Sequence, residues 1–200
     1  MPNACATRAL IRQQRQALSY AQQRLAAQQL CIRISRHPSF RRANCISAYI
    51  ASEGEISLAP LIKLAHKQGK ACYLPVIQKR PAIDRAEATK LIMRFSLFMP
   101  HSKLVTRRFG LLEPQKVRLM ALDKMDLILC PLVAFDRQGH RIGMGGGFYD
   151  RALSRICRTR KKRIWGVGHY LQQHPIVPAP WDITLDGVFT DNGVLTAQKH

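Results

Sequence analysis

The most constraining feature of the sequence is a glycine-rich stretch between an apolar run and a helix-like segment. Residues 139–151 read Gly-His-Arg-Ile-Gly-Met-Gly-Gly-Gly-Phe-Tyr-Asp-Arg; they follow the apolar run 127–135 and lead into the segment 148–156. Five glycines in nine residues admit φ > 0 and remove Cβ atoms, so successive N–H groups can converge on an anion. The pattern predicts a phosphate cradle, although a flexible surface loop can have the same composition.

The residues at the ends of this stretch agree with phosphate chemistry. Arg141 and Arg151 supply positive charge, and Asp150 offers a hard oxygen ligand of the kind that Mg²⁺ prefers. Two better-known glycine motifs are excluded. From Gly143, a dinucleotide fingerprint would require a third glycine where Phe148 stands, and the chain contains no Gly-Lys-Ser/Thr tripeptide.

Alternating apolar runs and helical patterns predict the fold class. Strands are expected at 45–51, 70–77, 126–135, 163–168 and 186–190, with helices between them. This order predicts an α/β three-layer sandwich around a mainly parallel central sheet. We expect one domain over residues 1–200, with a basic N-terminal helix at 4–34 as an integral part of it.

Two polar features could contribute to a site. Arg8, Arg12 and Arg15 recur at i, i+4 and i+7 and share one helix face, which is either a solvated basic face or a phosphate-binding one. Glu55 follows the first strand, at the end where α/β proteins bind ligands. Its carboxylate is either solvated or able to accept paired hydrogen bonds from a planar amino-pyrimidine ring.

The charge leaves two classes of ligand open. The net charge is +20, from 32 basic and 12 acidic residues, and a basic run occupies 155–163. Such a balance suits nucleic acid, but it also suits an enzyme with polyanionic small ligands. Only 7% of residues are aromatic, which offers few rings for stacking on nucleic-acid bases. The closest two cysteines are 14 residues apart, which is too far for a zinc knuckle. Reduced cysteines and no apolar run of ~18 residues predict a cytoplasmic protein without a membrane span.

The motifs resemble those of a known family. The run Pro131-Leu-Val-Ala-Phe-Asp136, followed by Gly139-x-Arg141-x-Gly143-x-Gly145-Gly-Gly147-Phe-Tyr149-Asp150-Arg151, resembles the signature of 5-formyltetrahydrofolate cyclo-ligases, also called 5,10-methenyltetrahydrofolate synthetases. Weaker similarities are Arg8-x-x-x-Arg12, Phe109-Gly-Leu-Leu-Glu113-Pro114 and the segment 175–186. The resemblance spans roughly residues 8–191.

The resemblance implies a fold shared with phosphosugar isomerases and coenzyme A transferases, and it implies a reaction. ATP and 5-formyltetrahydrofolate would give 5,10-methenyltetrahydrofolate, ADP and phosphate, with Mg²⁺ as cofactor. The formyl oxygen would be phosphorylated, and N10 of the folate would then close the ring. The expected partners are these two small molecules, with no specific nucleic acid, no membrane and a monomeric state. A basic nucleic-acid-binding module, or another ATP-dependent kinase or ligase with the same cradle, remains an alternative.

The resemblance also implies site residues. Arg141 and Tyr149 are the expected catalytic residues, and Asp150 and Asp182 the expected metal ligands. The expected ATP-binding residues are Arg8, Arg12, Arg141, Gly143, Met144, Gly145, Gly146, Gly147, Phe148 and Tyr149. The expected folate-binding residues are Ile50, as an apolar wall, Glu55, Gly145, Gly146, Gly147, Phe148 and Tyr149. Lys103, Arg107 and Arg108 are further candidates for phosphate contacts.

Overall fold

The computed structural model of the chain describes residues 4–79, 91–154 and 163–198, and an eight-stranded sheet lies at its centre. The strands in chain order are β1 (Cys45–Ser47), β2 (Ala71–Lys79), β3 (Leu91–Phe98), β4 (Leu104–Thr106), β5 (Leu112–Pro114), β6 (Leu119–Met120), β7 (Leu127–Pro131), β8 (Ala134–Phe135), β9 (Arg141–Ile142), β10 (Arg163–Val167), β11 (Gly187–Phe189) and β12 (Val194–Thr196). The large sheet has the order β12-β11-β10-β7-β1-β2-β3-β6, while β4-β5 and β8-β9 form two small hairpins.

The five strands predicted from the sequence form the parallel centre of this sheet. β11, β10, β7, β1 and β2 pair in parallel, and β12, β3 and β6 add antiparallel edges. The central strands are short apolar runs, as expected for strands that are covered on both faces. The predicted mainly parallel α/β architecture is confirmed.

The helices are α1 (Ala4–Gln16), α2 (Tyr20–Arg36), α3 (Pro38–Arg42), α4 (Ala59–Lys67) and α5 (Phe148–Leu153). The prediction of one helix over 4–34 is wrong, because the chain breaks between Gln16 and Tyr20. Ser19 starts α2 with a capping box: its hydroxyl accepts from the Gln22 N–H, and the Gln22 side chain accepts from the Ser19 N–H. This Ser-x-x-Gln pattern was readable in the sequence.

Two apolar clusters lie on opposite faces of the sheet, so helices cover it on both sides and the fold has three layers. One cluster joins residues of α2, α3 and α4, such as Leu30, Phe40 and Leu61, to the inward side chains of the strands. The other cluster contains Ile128 of β7 and Leu153 of α5. Burial of alternate strand residues on each face stabilises the sandwich through the area removed from water.

The glycine-rich segment differs in one detail from the predicted strand, turn and helix. β7 ends at Pro131, and the hairpin β8-β9, whose turn contains Gly139, intervenes before Gly143. α5 begins at Phe148 as predicted. Residues 80–90, and the basic run 155–163 apart from Arg163, lie outside the described residues.

The strand order positions the site. From β1 the chain crosses through α4 to β2 on one side, whereas β7, β10 and β11 lie on the other side of β1. The order of the sheet therefore reverses between β1 and β7, and such a switch point opens a crevice at the carboxyl ends of the strands. The residues after β1 include Glu55, and those after β7 lead to the glycines.

Candidate active site

The glycine loop, defined here as residues 143–147, is held at its base by a tight turn. Asp136 accepts hydrogen bonds from the backbone N–H groups of Gln138 and His140, and its other oxygen lies 2.8 Å from His140 Nδ1. Gly139 has φ +87°, and a Cβ there would lie 2.7 Å from the Leu185 carbonyl oxygen. Only glycine fits this turn, because both the conformation and the space exclude a side chain.

Arg141 anchors the loop to the C-terminal part of the chain. Its side chain is 4% exposed, and its guanidinium donates to the Ile183 carbonyl at 2.6 Å and forms an ion pair with Asp150. Arg141 thus bridges the start of α5 and the segment that carries Asp182. The structure gives this arginine a bracing role, and its predicted contact with phosphate stays a prediction.

The loop itself contains the backbone conformations that a cradle requires. Gly145 and Gly147 have φ +99° and +59°, and Gly147 is the residue before α5. Gly145, Gly146 and Met144 are exposed, and Met144 is 48% accessible to solvent. Exposed N–H groups in a chain of alternating φ sign can converge on an anion.

Arg8 of α1 reaches this loop although 135 residues separate the two in sequence. Its Nε donates to the Gly143 carbonyl at 2.8 Å, and its Cζ lies 3.8 Å from the position that a Cβ of Gly145 would take. The other two arginines of the predicted basic face differ from it. Arg12 forms an exposed ion pair with Glu53, with Nη2 and Oε1 2.6 Å apart, and Arg15 is fully buried.

Arg15 was not among the predicted site residues, yet it holds the other side of the site. Its guanidinium donates to the carbonyls of Leu132, beyond the end of β7, and of Glu53, in the loop 48–58 after β1. Burial lowers the pKa of Arg15, and the nearby Glu55 opposes that shift. Its burial could not be predicted from the sequence, because its spacing with Arg8 and Arg12 is that of an accessible basic helix face, either solvated or phosphate-binding.

Glu55 lies inside the loop 48–58, which we call the Glu55 loop. Its carboxylate accepts hydrogen bonds from the N–H and hydroxyl of Ser52, at 3.0 and 3.3 Å. Burial raises the pKa of Glu55 above its usual range, against the opposing effects of the Ser52 N–H and of Arg15. A partly buried carboxylate with a raised pKa at a sheet switch point is a candidate for ligand recognition.

Two tyrosines lie near this carboxylate. The Tyr49 hydroxyl donates to the Ile56 carbonyl at 2.9 Å. The Tyr149 hydroxyl is buried, and among the described residues it has no hydrogen-bond partner. Burial raises the pKa of Tyr149 well above its usual range, with smaller contributions from Cys130 and Glu55. An unpaired buried hydroxyl costs roughly 1–3 kcal/mol, which a polar ligand group could recover.

Phe109, for which no site role was predicted, is an exposed aromatic residue near the glycine loop. Phe109 is 69% exposed at the tip of the β4-β5 hairpin, has φ +59°, and its ring centroid lies 5.9 Å from that of Phe148. The hairpin therefore extends over the start of α5. Lys103, Arg107 and Arg108 of the same region are exposed. Glu113 of the same hairpin is buried. Its carboxylate accepts a hydrogen bond from the Ile77 N–H at 2.8 Å, which fixes the hairpin to β2.

The two predicted metal ligands lie on segments that Arg141 joins. Asp150 pairs with Arg141 through Oδ1, and Asp182 closes a turn by accepting from the Ala179 N–H through Oδ2 at 2.9 Å. Each carboxylate keeps a second oxygen for which the described residues offer no partner. Hard carboxylate oxygens fit Mg²⁺ with water and phosphate as further ligands. Among the described residues, no group of three or more His, Cys, Asp or Glu side chains could hold a metal by itself.

A glycine loop, a basic helix and a partly buried carboxylate around the switch point of the sheet are typical of an α/β enzyme that acts on small molecules. The family assignment agrees with the resemblance of the motifs. The chain belongs to the 5-formyltetrahydrofolate cyclo-ligase family, whose model matches residues 2–191. It is therefore a ligase of folate metabolism.

Individual relatives cover nearly the whole chain. A 5-formyltetrahydrofolate cyclo-ligase of Escherichia coli K12 is 35% identical over 188 residues, which are 92% of this chain and 98% of the relative. One from Haemophilus influenzae is 33% identical over 178 residues, with 88% and 90% coverage. The solved structure of a 5,10-methenyltetrahydrofolate synthetase from Aquifex aeolicus superposes with a TM-score of 0.79 at 25% identity, over 98% of this chain and 94% of that one. Among the described residues, no helix is both long and apolar enough to cross a membrane.

Proposed function

We propose that the protein converts 5-formyltetrahydrofolate to 5,10-methenyltetrahydrofolate with the hydrolysis of ATP to ADP and phosphate. The observation that carries this proposal is the hydrogen bond from Arg8 to Gly143, which joins a basic helix to the glycine loop. The contact puts a fixed positive charge beside exposed loop N–H groups, and the Glu55 loop lies at the same switch point. One crevice thus offers a site for phosphates and a site for a polar ring.

The chemistry needs alignment more than it needs a protein nucleophile. The formyl oxygen attacks the γ-phosphorus, the bond to the ADP oxygen breaks, and a phosphorylated formyl group results. N10 then attacks the formyl carbon, loses its proton, and phosphate leaves with the former formyl oxygen. Positioning of the two substrates and neutralisation of phosphate charge are the main demands of such a transfer.

We assign the nucleotide phosphates to the glycine loop, with Arg8 at their side. Arg12 would add charge once its ion pair with Glu53 opens. Met144 would contribute only its backbone, because its side chain faces solvent. Asp150 and Asp182 would hold Mg²⁺, which neutralises phosphate charge when it is bound. Arg141 keeps these two segments together through Asp150 and the Ile183 carbonyl.

We assign the folate ring to the other end of the crevice. Glu55 can accept hydrogen bonds from an amino-pyrimidine. The Tyr149 hydroxyl, which has no partner within the described part of the chain, can donate one to the substrate. Ile50 would form an apolar wall, and the exposed ring of Phe109 offers a surface on which a flat ligand could stack. These roles leave Tyr149 as a residue that orients the substrate, since its raised pKa keeps its proton in place.

An assay with both products measured in one reaction tests the proposal. Purified protein with ATP, Mg²⁺ and 5-formyltetrahydrofolate should form one ADP for each methenyl group, and omission of any one component should stop both. Absence of the methenyl product with an active nucleotide site would contradict the proposal. ADP formed only with another acceptor would identify a different kinase or ligase.

We further propose a cytoplasmic, monomeric, single-domain enzyme whose basic surface has no specific nucleic-acid partner. Any binding of DNA or RNA should then be independent of sequence and should weaken steeply with salt, as counterion release requires. Sequence-selective binding tighter than roughly 10⁻⁸ M at physiological salt would instead support a nucleic-acid function.

A further inference from the structure

We propose that Gln23 of α2 is a positioning residue for the folate: it fixes the turn that carries Glu55 and thereby sets the affinity of the site for the folate ring. This inference rests on the proposed function, and it names a residue for which no role was predicted from the sequence. Gln23 lies on the second helix, 31 residues before Gly54, whose carbonyl it contacts. It acts through the backbone of the Glu55 loop.

The Glu55 loop contains a tight turn at residues 52–55. The Glu55 N–H donates to the Ser52 carbonyl at 2.8 Å, and the Glu55 carboxylate accepts from the Ser52 N–H at 3.0 Å. Glu53 and Gly54, the two central residues, have φ +48° and +75°. This is the sign pattern of a type I′ turn, which glycine adopts freely and glutamate adopts only with strain. The backbone and the carboxylate of Glu55 therefore move with the turn.

The turn is held in place by side chains from outside the loop. Its own hydrogen bonds fix its shape, whereas its place on the protein and its strained backbone depend on the surrounding contacts. Arg15 donates to the Glu53 carbonyl at 3.2 Å, and Gln23 Nε2 donates to the Gly54 carbonyl at 3.1 Å. The two central carbonyls of the turn are thus held by one residue from each of the first two helices.

Gln23 also joins the turn to the end of α1. Its Nε2 donates to the Arg15 carbonyl at 3.2 Å, so one amide nitrogen bridges a carbonyl of the helix and a carbonyl of the turn. The two backbones are in close contact there, since a Cβ on Gly54 would lie 2.9 Å from the carbonyl carbon of Arg15. Without the Gln23 amide both carbonyls would lose a donor, and their partial negative charges would repel each other. The turn should then separate from α1.

Gln23 can be changed without the damage that a change of Arg15 would cause. Arg15 is fully buried and charged, so its removal would leave a cavity and unpaired carbonyls. Gln23 is only half-buried on α2, and Met and Lys have helix propensities close to that of Gln. A change of folate affinity in a Gln23 variant would therefore report on the position of the turn.

The test compares three variants of the full-length protein. Gln23→Met keeps the size of the side chain and removes its N–H donors, whereas Gln23→Lys keeps a donor group that can reach carbonyl oxygens. Gln29→Met, the control, makes the same substitution at another half-buried position of α2. KM and kcat are measured for 5-formyltetrahydrofolate and for ATP. Binding of 5-formyltetrahydrofolate without ATP is measured by calorimetry, and hydrogen exchange of the Gly54 and Glu55 amides is measured by NMR without any ligand.

We expect Gln23→Met to raise KM and Kd for the folate about tenfold, which is the effect of one or two lost hydrogen bonds. The turn contributes to binding and takes no part in the reaction, so kcat and KM for ATP should change less than about twofold. The Gly54 and Glu55 amides should exchange about tenfold faster, while those of β1 should not. Gln23→Lys should restore most of the affinity, and the control should match the wild type.

Unchanged KM and Kd for the folate in a folded Gln23→Met protein would overturn the proposal, even if that protein melts earlier, because Gln23 would then only stabilise the fold. An equal change in Gln29→Met, or no recovery in Gln23→Lys, would also overturn it. If the wild-type protein binds 5-formyltetrahydrofolate but forms no methenyl product, the proposed reaction fails, and the binding and exchange measurements still decide the role of Gln23.

Discussion

Arg12 of α1 and Glu53 of the Glu55 loop form an exposed ion pair, with Nη2 and Oε1 2.6 Å apart. The arginine expected to meet nucleotide phosphate is therefore paired with a residue two positions from the proposed folate ligand. Nucleotide phosphate and Glu53 would compete for one guanidinium. Both are anions, so binding of a nucleotide to Arg12 would release Glu53 and could alter the Glu55 loop.

We expect Glu53→Gln to release Arg12 and to leave or improve ATP affinity, by up to a few fold. Arg12→Gln should weaken it. An exposed pair contributes roughly 0.2–1 kcal/mol, so neither variant should lower the unfolding midpoint by more than a few degrees. Nucleotide titration and thermal melts of both variants check this. A similar loss of ATP affinity in both would mean that the pair is needed intact.

Arg8→Met should raise KM for ATP about tenfold, because it removes a charged hydrogen bond and a fixed charge beside the loop. KM for the folate should change much less. Arg24→Met on α2, which removes an exposed arginine of the same helix-rich region, is the matched control. Equal ATP constants in wild type and Arg8→Met would remove Arg8 from the nucleotide site.

The glycines of the segment should separate into structural and binding positions. Gly139→Ala must adopt φ near +87° and meets the Leu185 carbonyl oxygen at 2.7 Å, so it should lose about 1–3 kcal/mol of unfolding free energy. At Gly143 a Cβ would meet nothing within 4 Å, and Gly143→Ala should melt like the wild type.

Gly146→Val keeps the fold if the Phe148 ring can shift, and it should lower nucleotide affinity. Unchanged ATP binding in Gly146→Val would show that the loop only connects.

Asp150→Asn and Asp182→Asn should each increase the Mg²⁺ needed for half-maximal activity and lower turnover by roughly 10²-fold. Their stabilities should differ. Asp150→Asn leaves the buried guanidinium of Arg141 without a charged partner and should melt earlier. In Asp182→Asn the side-chain oxygen can still accept from the Ala179 N–H, so the melt should be unchanged. Unaltered Mg²⁺ dependence in both variants would refute the metal assignment.

Glu55 should make stability depend on pH in a direction opposite to that of most carboxylates. Burial raises its pKa in the folded state, so the folded protein holds a proton that the unfolded chain has already lost. Stability therefore falls as pH rises from the unfolded pKa through the raised folded one. Glu55→Gln should remove this decline and stabilise the ligand-free protein at neutral pH, while KM for the folate increases. A steeper decline in the variant, measured by denaturant titration across pH, would contradict the assignment.

The sequence predicted those parts of the molecule that local patterns determine. Five apolar runs became the parallel strands, and the glycines became a loop before α5. The start of α2 after Ser19 is also determined by a local pattern, the Ser19-x-x-Gln22 capping box, which was not used in the prediction. The roles of Arg15 and of Tyr149 arise only when distant segments pack together. Arg15 has the spacing of a solvated residue, and its burial depends on carbonyls of Leu132 and Glu53.

The Arg8–Gly143 contact has a consequence for folding. Its partners are 135 residues apart, so the proposed nucleotide site forms only after a long chain closure, which is slow and entropically costly. α1 packs mainly against β8 and the 3₁₀ turn Tyr170–Gln172, which are late parts of the sequence. Partial unfolding by release of α1 would thus open the site while the sheet remains intact. A bound nucleotide should slow amide hydrogen exchange in α1 more than in β1, because it holds the first helix onto the later half of the chain.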